Sequence, residues 1–121
     1  MRAIKINAEA QTITEIDLPP GDDSAIGKAL NCYEFAHATT FANGDVLLIG
    51  ASEPLSGTES FFEIEVGPHG ITRLICDNGI ILGSLDSGEK VAARTPLLAV
   101  RVRFVTPAEA YVSLPERGFI G

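Results

Sequence analysis

His37 stands in the alternating stretch Tyr33, Phe35, His37, Thr39 and Phe41. On a strand that spacing puts an imidazole on one face with three aromatic rings. An imidazole in an aromatic-lined pocket can act as an acid or base near neutral pH, and Tyr33 and His37 are therefore candidate ligand-binding residues. The competing reading is a neutral histidine satisfied by backbone groups or by Thr39. Arg101 and Arg103, two residues apart, point to one side of their strand and form the other half of this candidate site. If they meet Glu63 and Glu65, which share the same spacing, the four make an ion-pair ladder of about 0.2–1 kcal/mol per pair. If they do not, the arginines together with Arg94 make an anion-binding face.

The remaining chemistry is sparse. Cys32, His37, His69 and Cys76 are soft ligands, but their local spacings, C-x4-H and H-x6-C, are not those of a tetrahedral structural zinc site, so no metal is expected. Cys76 precedes Asp77, whose charge raises a thiol pKa and lowers its reactivity. No G-x-G or G-K-[ST] occurs, and no nucleotide cofactor is called for. Gly50-Ala51-Ser52-Glu53-Pro54 has proline where a nucleophile elbow needs its second glycine. No catalytic residue is assigned, and a non-enzymatic module is the first expectation.

Charge points toward a partner. The net charge is −7, yet residues 6 to 72 carry eleven carboxylates and one lysine, whereas residues 73 to 121 carry five carboxylates and six cations. An acidic first half repels phosphate backbones, so direct nucleic-acid binding is not expected. It suits a basic protein partner, with DNA mimicry as the sharpest form, and Asp22, Asp23, Glu63 and Glu65 are the candidate contacts. Solubility alone also favours such a surplus.

These residues must be positioned by one domain of 121 residues, long enough to bury an independent core. The longest aliphatic runs, Val46 to Ile49 and Leu97 to Val100, are far short of the ~20 residues a membrane helix needs. No targeting pattern follows Met1, and a cytoplasmic protein with reduced cysteines is expected. Alternation predicts an opening hairpin, Arg2 to Asn7 and Gln11 to Leu18. A short helix capped by Asp22 to Ser24 and stopped near Asn31 follows. A strand from Tyr33 then turns at Asn43-Gly44 into Asp45 to Gly50. Ala51 to Ser60 reads as a loop, and Phe61 to Val66 pairs with Ile71 to Asp77 across a Gly67 to Gly70 turn. Asn78-Gly79 reads as a second tight turn into Ile80 to Leu85. Leu97 to Val105 reads as a long strand with Leu98, Val100, Val102 and Phe104 on its core face. Thr106-Pro107 then caps a second short helix, and Phe119 and Ile120 form a tail through which copies could associate. The fold class is α+β: mainly antiparallel, hairpin-rich, about eight strands, open or barrel-like, with one or two short helices.

Ala3-Ile4-Lys5-Ile6, Ile13-Thr14-Glu15-Ile16, the helix at Ile26 to Leu30 and Asn78-Gly79-Ile80-Ile81-Leu82-Gly83 follow an order that resembles the phage- and plasmid-associated family catalogued as domain of unknown function 3846. The resemblance spans most of residues 1 to 105. It departs at the Ala51 to Ser60 loop, the Phe61-Phe62 strand and the extension from Thr106. It implies an accessory protein of mobile elements or their bacterial hosts, working in the cytoplasm, and supplies no catalytic residues.

Overall fold

A computed structural model describes residues 1–32, 34–50, 59–66, 71–106 and 108–109 and the backbone of 119–120. Strands β1 (Arg2–Asn7) and β2 (Thr12–Asp17) form the opening hairpin, paired from Arg2↔Asp17 to Asn7↔Thr12. Helix α1 (Asp23–Leu30) starts where the Asp22 carboxylate accepts the backbone N–H groups of Ser24 and Ala25. It ends at Asn31, whose φ of 57° is the left-handed stop that asparagine tolerates. Strands β3 (Phe35–Thr40) and β4 (Asp45–Gly50) follow, then β5 (Phe61–Glu65), β6 (Thr72–Cys76) and β7 (Asn78–Ser84). Last come β8 (Lys90–Val91), a 3-10 turn at Leu97–Ala99, β9 (Val102–Val105) and β10 (Phe119–Ile120).

The strands make two sheets, not a barrel. One has six strands in the order β2-β1-β7-β4-β3, with β8 added to β7; the other has four, β10-β6-β5-β9. Among the described residues both keep open edges, because the chain leaves one sheet for the other between β6 and β7 instead of turning back in register. Asp77 makes that crossing with φ 64°; its N–H donates to the Ser60 carbonyl (2.8 Å) and its carbonyl accepts from Ala8 (3.0 Å). The tail finds a place in its own chain, where β10 runs parallel to β6.

Three layers result. Ile26 and Leu30 of α1 pack with Ala3, Val46, Leu48, Ile80 and Leu82 on one face of the large sheet. The small sheet covers the other face, where Ile4, Ile6, Leu47, Ile49 and Ile81 meet Phe62, Ile64 and Ile75. Being covered on both faces, β4 and β7 read as continuous apolar runs, as doubly buried strands should.

Three local expectations change. Asn78-Gly79 lies inside β7, with Gly79 opposite both Ile6 and Ile49; a Cβ there would come within 2.9 Å of the Phe62 ring and 3.0 Å of Leu47. The glycine serves close sheet packing, and the chain turns one residue earlier, at Asp77. The β3–β4 connection is a three-residue loop, Ala42-Asn43-Gly44, closed by Phe41 N–H on the Asp45 carbonyl (2.8 Å), with Gly44 at φ 90°. The long strand from Leu97 begins only at Val102: Leu97–Ala99 is a 3-10 turn, and Leu98 is 93% exposed instead of facing the core. The expected 67–70 turn, most of the 51–60 loop and the body of the second helix lie outside the described residues; Glu109 N–H does donate to the Thr106 hydroxyl (3.3 Å).

Gly79→Ala is expected to cost about 1–3 kcal/mol in urea denaturation through overpacking against Phe62. Gly83→Ala should cost more, because its Cβ would run into the Ala92 backbone carbonyl, a clash that no side-chain rotation relieves.

Candidate functional site

The two sheets part at one end and leave a cavity of about 530 Å³. Its walls are the β3–β4 loop (Phe41, Ala42, Asn43), the end of β5 (Ile64, Glu65, Val66), Ile81, and the segment from Thr95 to Arg101. Most of these side chains are apolar. Asn43, Thr95, Glu65 and Arg101 are the polar ones.

The segment from Thr95 is held in place by Asp45, a carboxylate with no exposed surface at the start of β4. It accepts the Arg94 backbone N–H (2.9 and 3.1 Å to its two oxygens), the Thr95 N–H (2.8 Å) and the Thr95 hydroxyl (2.6 Å). Asn43 completes the cluster, its amide donating to Thr95 Oγ1 (2.9 Å) and its carbonyl accepting the Asp45 N–H (3.0 Å). Asn43 and Thr95 are thus committed to framing the wall. The Arg94 guanidinium stands 3.8 Å from Asp45 and is half exposed, so the close backbone and hydroxyl donors dominate the stabilisation of this charge. The sequence marks Asp45 only as the first residue of the strand that follows the Asn43-Gly44 turn, because its partners lie about fifty residues away.

The residues singled out from sequence are dispersed. His37 is exposed on β3, its Nε2 2.8 Å from Thr40 Oγ1 and not at Thr39. A bulge between His37 and Thr39 shifts the register, so the assumed single face is broken. Phe35 packs toward the helix and Phe41 toward the small sheet. Tyr33 lies outside the described residues, as does His69. Arg103 faces Glu63 across β9 and β5, with ion pairs to Glu63 (3.4 Å) and Glu109 (2.7 Å); it is a rung of the expected ladder. Arg101 and Glu65 both line the cavity, and neither makes an ion pair among the described residues. Of the acidic candidates, Asp22 caps α1, and the Ser24 hydroxyl on its carboxylate lowers its pKa, with the Ser24 and Ala25 N–H groups adding to the effect against some desolvation. Asp22 and Asp23 belong to the helical layer, and Glu63 and Glu65 to the sheet on the opposite side. No single surface joins the four.

Neither Cys32 nor Cys76 is in a disulfide. Burial, then the charges of Asp77 and Glu59, push the Cys76 thiol up to about 12. Among the described residues, no three His, Cys, Asp or Glu side chains converge on a metal-sized site, and no helix is long and apolar enough to cross a membrane. No protein-family model, curated protein or solved structure matches this chain.

Asp45→Ala is expected to destabilise the fold by about 3–5 kcal/mol, since buried donors lose their acceptor, whereas Arg94→Met should cost under about 1 kcal/mol; chemical denaturation of both variants checks the order. Cys76 should stay protonated at pH 8, and iodoacetamide should label it in the folded protein at least about a hundredfold more slowly than a free thiol. Asp77→Asn should speed that labelling.

Proposed function

We propose that this chain is a small-ligand-binding domain that takes a compact, mainly apolar molecule into the cleft between its two sheets. The observation that carries the reading is the cavity itself. At about 530 Å³ it falls within the size range of small-molecule sites, about 300–1,000 Å³, and it combines apolar walls with a few polar groups. Arg101 and Glu65 line it and make no ion pair among the described residues, while Asn43 and Thr95, bonded to each other, are held in its wall by Asp45.

This keeps Arg101 from the sequence-derived site and replaces His37 and Arg103, one held by Thr40 and the other by two carboxylates. The acidic residues support a basic partner less well, because they lie on opposite outer layers. The resemblance to the mobile-element family adds a cytoplasmic setting and no site residue.

Titration with the neutral apolar fluorophore N-phenylnaphthylamine tests the reading. The wild type should bind with enhanced emission, Ala99→Trp should abolish binding by filling the cleft, and His37→Ala should leave it unchanged. A ligand present at a hundredfold excess over its Kd should add about 2.7 kcal/mol to stability. Absence of binding by the wild type, or binding that survives Ala99→Trp, contradicts the proposal.

A further inference from the structure

Beside the cavity stand large apolar side chains that are exposed among the described residues. Leu98, at the crown of the 3-10 turn, is 93% exposed, and its neighbours Ala99 and Val100 line the cavity. Ile71 is 54% exposed, and its carbonyl accepts the N–H of Val66, another lining residue, at 2.9 Å. These are two of the three large exposed apolar side chains among the described residues; the third, Leu85, lies in the turn before β8. Leu98 thus adjoins two lining residues in the chain, and Ile71 is joined through its backbone to a third; large exposed apolar side chains beside a cavity mark a candidate contact surface.

The charges at this mouth say what could cover it. Near it Arg94 is paired with Asp45, and Arg103 with Glu63 and Glu109. Arg101 and Glu65 are cross-strand neighbours, joined by a backbone hydrogen bond of 3.1 Å from Glu65 N–H to the Arg101 carbonyl, yet their side chains make no ion pair with each other. A contact about a two-fold axis brings residue i of one copy to residue j of the other and j to i, so a patch that carries one charge of each sign is self-complementary. A chain of net charge −7 repels its own copies over most of its surface. Here the rim is locally balanced.

We propose that the cavity mouth is a self-association surface for a second copy of this chain, with Leu98 of each copy against the other's cavity mouth and Arg101 of each paired with Glu65 of the other. The proposal goes beyond the ligand reading and does not depend on it, since a dimer closed over a filled cleft and one closed over an empty cleft have the same mass.

Sedimentation equilibrium tests it over about 1–200 µM, the range that reveals weak, modest-sized interfaces. The wild type should rise from the mass of one chain toward twice that value. Leu98→Asp, Arg101→Glu and Glu65→Arg should each hold the mass at one chain, with circular dichroism confirming the fold. The exchanged pair Glu65→Arg with Arg101→Glu should regain the dimer. A wild type that stays at one chain's mass at the highest concentration overturns the proposal. So does a folded Leu98→Asp variant that keeps the dimer mass, or an exchanged pair that fails to recover it.

Discussion

A carboxylate shut away from water fixes the path of the chain around the cleft. Burying the Asp45 charge is expensive unless donors replace its hydration, and two backbone N–H groups and a hydroxyl do so at 2.6–3.1 Å. Because two of those donors belong to the backbone of Arg94 and Thr95, the interaction specifies where a stretch of chain runs and not only how a side chain is turned. From that anchor the chain passes through the exposed 3-10 turn to β9, and so becomes the wall facing Phe41 and Ile64. The same stretch is tied to β1, where Ala93 N–H donates to the Arg2 carbonyl (2.8 Å) and Arg2 returns a bond to the Ala93 carbonyl (3.0 Å).

The layered core makes the opening possible. Two sheets pressed together around Phe62 leave no room over Gly79, so the interior there is dense. Beyond Ile64 the small sheet and the β3–β4 loop diverge, and among the described residues no large side chain fills the gap. Close packing at one end and a gap at the other follow from where the bulky residues lie along β5 and β7. The helix, on the far side of the large sheet, has no part in the cleft.

Much of the fold was legible in the sequence because its signals are local. The opening hairpin, the Asp22 cap and Asn31 stop of α1, and the alternation of Phe62 and Ile64 with Glu63 and Glu65 each depend on a few neighbouring residues. What failed depends on distant ones. Asn78-Gly79 has the composition of a turn, and only the ring of Phe62 reveals that its glycine is a packing requirement. One extra residue in β3 reverses every later side chain, so His37 and Phe41 separate although their spacing says otherwise. Two sheets instead of one follow from the crossing at Asp77, which no periodicity encodes. For the site, Arg101 was legible as a cation outside the core pattern. Asp45 was not, since its meaning lies in residues 94 and 95.

The central claim, that the cleft framed by Asp45 is where this chain binds a small molecule, is tested most directly by titrating an apolar carboxylic acid such as naphthoic acid into isotope-labelled protein and following the backbone amide resonances. The account predicts saturable shifts confined to Phe41–Asn43, Ile64–Val66 and Thr95–Arg101, with Ser24, Lys28 and His37 undisturbed. Shifts centred on the helix or on His37, or none at millimolar ligand, would contradict it.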